Sequence, residues 1–237
     1  MPILKRVMRA AFMMLLSSNL IAAQGRRADV VHPIYDVDGS CLLGGTLKGK
    51  WLGAQALVPL MKGGERYRAF MGTQALGEAT GGQPTSWGDT CEDSFTIKFT
   101  PSLEERRGVL AIGGDWNALP RTPQLINTSD PAYRKLVAAL LRSKGIRRPD
   151  VQLARIMRVD LDDDGVDEVL VSATRYLGGV SPTVHAGDYS FVLLRKVVRG
   201  RVRNIMINEE YYPTAKRLDP ANEYQLLGAL DVNGDGV

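Results

Sequence analysis

The chain has 237 residues, of which 44% are hydrophobic and 24% charged. This is ordinary globular composition, enough for one large domain or two small ones, and it excludes a collagenous, low-complexity or wholly disordered chain. The net charge of +4 owes much to the first residues. Removal of a leader containing Lys5, Arg6 and Arg9 leaves 27 basic against 26 acidic residues, or +1, so the charge gives no support for nucleic-acid binding.

Residues 1–23 have the pattern of a secretory signal peptide: a basic start, an apolar run from Ala10 to Ile21, and the small pair Ala22-Ala23 before the cut. The alternative is an uncleaved anchor, but the apolar run is short for a span of about 20 residues. No later stretch is apolar enough to cross a bilayer, and the expected location is secreted, periplasmic or at the cell envelope. Residues 24–31 form a polar tether. The region 32–128 follows, broken by glycines such as Gly44-Gly45, Gly63-Gly64 and Gly81-Gly82, which disfavour helix. It predicts strands at Arg66–Met71, Ser94–Thr100 and Val109–Ile112, a helical turn near Ala54–Met61, and a loop over Gly77–Gly88. Cys41 and Cys91 are the only cysteines. In an exported chain an even pair favours a disulfide, here closing 51 residues and contributing roughly 4 kcal/mol in the loop-entropy account. A reactive thiol or a metal pair is the alternative, and no nearby His supports it.

Residues 129–150 hold one well-signalled amphipathic helix. Asp130 is suited to the N-cap and Pro131 to the first turn; Leu136, Val137, Leu140 and Leu141 share one face, and Gly145 marks the exit. From residue 151 the period shifts towards two. Strands are predicted at Val151–Val159, Val169–Tyr176, Tyr189–Val198 and Val202–Tyr212, with a tight turn at Gly200. The stripe Arg195-Lys196, Arg199, Arg201 and Arg203 is read as a solvated hairpin. The fold class expected is mainly β with one or two short helices: a disulfide-linked α+β region followed by a four-stranded antiparallel repeat over 151–237.

Between the first two of these strands lies Asp160-Leu161-Asp162-Asp163-Asp164-Gly165-Val166-Asp167-Glu168, six acids in nine residues. Like charges so close require a positive partner. Oxygen-bearing side chains at positions 1, 3 and 5 with Gly at 6 suit a hard cation, above all Ca²⁺. A second run, Asp231-Val232-Asn233-Gly234-Asp235-Gly236-Val237, begins 71 residues later. A solvated turn is the bland alternative. An EF-hand is excluded, because the twelfth position from Asp160 is Val171 rather than Glu and strands flank the loop.

Asp160-x-Asp162-x-Asp164-Gly165-x-Asp167-Glu168 followed by Val169-Leu170-Val171 resembles the FG-GAP/VCBS type of repeat, and the second run resembles the opening of another. The resemblance implies Ca²⁺ bound between strands of a β-propeller blade. The ligands it implies are Asp160, Asp162, Asp164, Glu168 and the carbonyl of Val166, then Asp231, Asn233, Asp235 and the carbonyl of Val237. Asp163 departs from the Gly often found at its place, and the second run stops before its closing acid, so a truncated second repeat with a weak last site is expected. Only residues 151–237 are covered. The implied role is a non-enzymatic structural or interaction module, with a protein or carbohydrate partner at the cell exterior. A rival lies at Asp36-Val37-Asp38-Gly39-Ser40, similar to the first motif of haloacid-dehalogenase-type phosphatases. It would imply Asp36 as nucleophile, Asp38 as general acid and a Mg²⁺ ion. That fold needs repeated strand–helix units, and only one convincing helix is predicted. His32 and His185 are the only histidines. A triad would need one of them beside an activated Ser or Cys, and His185, in a loop with Ser181 and Thr183, is read as a surface residue. Trp51, Trp87 and Trp116 are expected to pack in the core, with a carbohydrate or peptide groove as the alternative.

Overall fold

The computed structural model describes residues 30–88, 93–104, 107–181, 183–217 and 221–236. The expected leader over 1–23 and most of the tether lie outside them, as do Cys91 and Val237. The first half contains β1 (Val31–Asp36), β2 (Cys41–Leu47), β3 (Lys50–Gly53), the one-turn α1 (Ala54–Leu57) with a 3-10 turn at Val58–Leu60, β4 (Arg66–Met71), β5 (Gln74–Gly81), β6 (Thr85–Ser86), β7 (Phe95–Thr96), β8 (Phe99–Thr100) and β9 (Val109–Gly113). The second half contains β10 (Gln124–Leu125), α2 (Pro131–Ser143), β11 (Leu153–Val159), β12 (Glu168–Arg175), β13 (Thr183–Val184), β14 (Asp188–Val198), β15 (Arg201–Tyr212) and β16 (Lys216–Arg217). The fold is mainly β with two short helices, as expected.

Among the described residues the strands form two main antiparallel sheets, ordered β3-β2-β1-β9-β4-β5-β8 and β10-β11-β12-β14-β15. Two small ribbons, β6-β7 and β13-β16, lie apart from them. The expected four-stranded unit is present as β11-β12-β14-β15, and the short β10 is added at its edge. In the first half the sequence reading misses β1, β2, β3 and most of β5, and Pro33 and the glycines explain why. Pro33 has no N–H for a ladder, but β1 pairs with β9 only from Ile34 onward, so none is required there. Gly45 lies against the β1 backbone, where an added Cβ would meet the His32 carbonyl at 2.3 Å. Gly44, with φ at +133°, supports a bulge that leaves Leu43 exposed. These glycines serve close strand approach rather than loops.

The second sheet is covered on both faces. Asp130 caps α2 by accepting from the Ala132 N–H at 2.8 Å. At the other end Gly145 takes φ +93°, the Ile146 N–H reaches the Leu141 carbonyl and the Gly145 N–H reaches that of Arg142. That pair of bonds is the Schellman exit, and Ile146 packs in the same cluster as Leu141. Val137 and Leu141 press on Val169, Val171 and Ala173 of β12. On the opposite face Leu170 meets Leu226 of the carboxy-terminal segment. β12 is consequently buried without interruption from Glu168 to Ala173, although its side chains alternate between faces. Burial of an aliphatic side chain such as Leu141 contributes about 1.5–3 kcal/mol.

Residues 221–230 belong to no helix or strand. The Arg155 guanidinium donates to the carbonyls of Leu226 and Leu227 at 3.0 and 2.9 Å, while Leu230 packs with Phe70, Ile112 and Trp116 of the first half. This segment ties the two sheets together. A groove of about 770 Å³ lies along it, lined among others by Leu170, Val192, Ile207, Asp160 and Asp231.

Several expectations need correction. Ser94–Thr100 is two short strands rather than one. Cys41 is half-buried, and the expected bridge to Cys91 falls on a residue outside those described. Trp51 and Trp87 are exposed, since Trp51 lies on the edge strand β3 and Trp87 in a loop beyond β6; only Trp116 packs inside. No described helix is long and apolar enough to cross a membrane.

Candidate metal centre

The acidic loop joins β11 to β12, and the register of those strands sets its ends: Val159 pairs with Glu168. The chain must therefore reverse within residues 160–167. Asp163 at φ +59° and Gly165 at φ +81° make the reversal. Asp160 organises it from inside, its Oδ1 accepting from the Asp164 N–H at 3.2 Å and its Oδ2 from the Gly165 N–H at 2.9 Å. Glu168 closes the loop from the strand side by accepting from the Leu161 N–H at 2.8 Å.

The second run repeats this geometry. Asp231 accepts from Asn233 and Gly234 N–H through Oδ1 and from Gly236 N–H through Oδ2, at 3.1, 2.8 and 3.0 Å. Gly234 and Gly236 have φ of +74° and +83°, matching Asp163 and Gly165 position for position. Asp163 thus occupies a left-handed place that the second run gives to Gly, a conformation Asp tolerates better than most residues. The run is anchored to the first half. Asp231 N–H donates to the Ala118 carbonyl at 2.9 Å, Trp116 Nε1 donates to the Asp231 carbonyl at 2.8 Å, and the Trp116 ring leaves no room for a Cβ at Gly234. One side chain spans both runs: Arg121 lies 3.1 Å from Asp163 Oδ1 and donates to the Gly236 carbonyl at 2.7 Å.

Of the expected ligands, the structure brings together Asp160, Asp162 and Glu168, which offer one carboxylate oxygen each within 4.8 Å of one another. Glu168 is buried, Asp160 half-buried and Asp162 exposed. Asp164 stands outside this trio; its Oδ1 accepts from the Val166 N–H at 2.8 Å, and the Val166 side chain is exposed. In the second run Asn233 donates to Asp235 at 2.6 Å, and both Asp231 oxygens are taken by backbone N–H groups. No second such trio of His, Cys, Asp and Glu occurs among the described residues.

Lys196 of β14 is the group that sequence reasoning missed. Its ammonium hydrogen-bonds Asp162 Oδ2 and lies 3.6 Å from Glu168 Oε1, and the bond to Asp162 raises its pKa. The placement follows from register. Val169 pairs with Arg195, so the next residues outward, Glu168 and Lys196, stand side by side on the face opposite α2. The expected solvated hairpin is present, turned by Arg199 and Gly200 at φ +52° and +72°, but Lys196 belongs to the acidic loop. A period-2 reading puts Lys196 on the Leu194 face, and only the strand pairing shows that Glu168 lies beside it.

The donor set fits a hard divalent cation. All three groups are carboxylates, one of them is buried, and an ammonium already occupies the position of a counter-ion. Against six acidic side chains in the loop stand Lys196 and Arg121 as the ion-paired cations among the described residues. Asp36 and Asp38 belong to no comparable cluster among the described residues. They sit in the β1–β2 hairpin, and β1 is antiparallel to both neighbours.

A buried carboxylate elsewhere is structural. Asp188 accepts from Arg175 Nη1 at 2.7 Å and from the Leu177 and His185 N–H groups at 3.0 and 2.7 Å, fastening the loop between β12 and β14. No family model matches the chain, and it matches neither a curated protein nor a solved structure.

Proposed function

We propose that the chain is an exported, non-enzymatic calcium-binding module with a structural or interaction role, whose β11-β12-β14-β15 meander is a blade-like repeat of the FG-GAP/VCBS kind. The observation that carries this reading is the convergence of Asp160, Asp162 and Glu168 oxygens within 4.8 Å at a strand-to-strand joint. Those three side chains would hold the ion, with Asp164 and the Val166 carbonyl as the remaining expected ligands. A bound Ca²⁺ would supply positive charge beyond that of Lys196 and Arg121, which alone face six acidic side chains among the described residues. The protein's part is to fix the loop: Asp160 and Glu168 each hold backbone N–H groups that set its shape in advance. The second run, with Asp231, Asn233, Asp235 and the Val237 carbonyl, would be a weaker site. A protein or carbohydrate at the cell exterior is the partner this reading implies, and a Cys41–Cys91 bridge suits the same compartment.

Calorimetry tests the reading. Ligand at a hundred times its Kd stabilises a fold by about 2.7 kcal/mol, so millimolar EDTA should lower Tm by several degrees. Asp162→Ala combined with Asp164→Ala should remove that sensitivity. A Tm indifferent to both chelator and substitution would end the calcium assignment.

A further inference from the structure

We propose that Lys196 is a resident counter-ion that a divalent cation must expel, so that this one residue sets the threshold of the site. The inference rests on the calcium reading above. In the structure the Lys196 ammonium bonds Asp162, the exposed member of the trio, and stands 3.6 Å from Glu168, the buried one. It therefore occupies the side from which a shared cation would contact both carboxylates. An ammonium and a divalent ion cannot occupy that space together, since like charges at such separations repel strongly. Glu168 cannot turn away, because it is buried and its other oxygen holds the Leu161 N–H. Asp162 can move, and so can the lysine. Entry of the ion consequently transfers Asp162 and Glu168 from the ammonium to the metal and frees the lysine stem.

The register fixes where the freed ammonium goes. Lys196 pairs with Arg203 across the β14–β15 ribbon, and Val198 with Arg201. Lys196, Arg201 and Arg203 thus share one face of the ribbon, and Arg201 and Arg203 are exposed there. Cation uptake at the loop adds a third positive charge to that face. The site is in this way built to stay closed by an internal ion pair at low calcium and to open only when the ion outcompetes a tethered lysine. The tether raises the lysine's effective concentration but not its charge, so a divalent ion prevails at high activity.

The experiment is titration calorimetry of the full chain, stripped with EDTA, against CaCl₂ alone, comparing wild type with Lys196→Met and Lys196→Arg. Removing the competitor should tighten Ca²⁺ binding about tenfold, the factor for 1.4 kcal/mol, and lower the Tm of the metal-free protein. Lys196→Arg, which keeps the charge, should restore weak binding. A residue that only positioned the loop would weaken binding when removed, which is the opposite sign. If wild type binds Ca²⁺ and Lys196→Met binds no tighter, the competitor role falls and the calcium reading stands. If neither protein binds, both fall. Should Lys196→Met fail to fold, the wild-type ammonium signal in ¹⁵N NMR decides. Saturating Ca²⁺ should restore fast solvent exchange to Lys196, and an unchanged protected signal would overturn the proposal.

Discussion

Asp231 is the sharpest test of how much these loops owe to the protein rather than to a metal. The carboxylate is almost wholly buried and accepts three backbone N–H groups: Asn233 and Gly234 on Oδ1, Gly236 on Oδ2. A bond to a charged acceptor contributes about 1.5 kcal/mol at the low end. Three of them, reduced where water reaches the freed groups, make Asp231→Ala cost about 3–4 kcal/mol. Asp231→Asn keeps Oδ1 and its two bonds but sets an NH₂ against the Gly236 N–H, so its cost is about 1–1.5 kcal/mol. Urea unfolding in EDTA would measure both, followed by the fluorescence of Trp116, whose indole N–H donates to the Asp231 carbonyl. Separation of the two variants by about 2 kcal/mol is the expected result. Equal costs, or an Ala variant within about 1 kcal/mol of wild type, would refute the claim that the carboxylate organises its own loop.

Gly165→Ala should cost about 1–2 kcal/mol for backbone strain alone, because φ is +81° and a Cβ there meets nothing within 4 Å; thermal unfolding checks this, and an unchanged Tm would contradict the loop geometry. Glu209 is held below the ordinary glutamate value of 4.5, first by its hydrogen bond from Lys144. Since the folded form binds its proton less readily than the unfolded one, its contribution is complete above pH 4.5 and disappears as the pH falls through the lowered value. Glu209→Gln should flatten the dependence of stability on pH in that acid window, and an unaltered slope in acid titrations would show that the Lys144 pair contributes nothing.

Much of the second half was legible because its signals agree at every level. Asp130, Pro131 and Gly145 bound α2 where the cap chemistry places them. The alternation of Val169, Val171 and Ala173 against Leu170 gives β12 its two buried faces. The first half was less readable, since Pro33, Gly44 and Gly45 ordinarily mark interruptions and here permit two backbones to approach. Residues 221–230 were unreadable for a different reason: they belong to no helix or strand and are partly buried, held by Arg155 and apolar contacts instead of a ladder. In the candidate site, local spacing pointed to Asp160, Asp162 and Asp164, of which Asp164 stands outside the trio, and Glu168 entered only through the family resemblance. The contributions of Lys196, Arg121 and Trp116 depend on pairings 28 residues or more away in sequence, which no local pattern carries.

The outer strand β15 has a consequence for solubility. Twelve residues long, it ends the second sheet with one side of its backbone unpaired among the described residues, and Val202, Ile205 and Ile207 are exposed along it. Such an edge is a template on which another chain could grow a sheet. Arg199, Arg201 and Arg203 guard that template: a second copy laid antiparallel across the hairpin end would bring guanidinium against guanidinium, and the bulge opposite Val192 and Leu193 breaks the flat register that stacking requires. The arginines thus discourage edge-to-edge pairing at a strand that no other strand covers among the described residues.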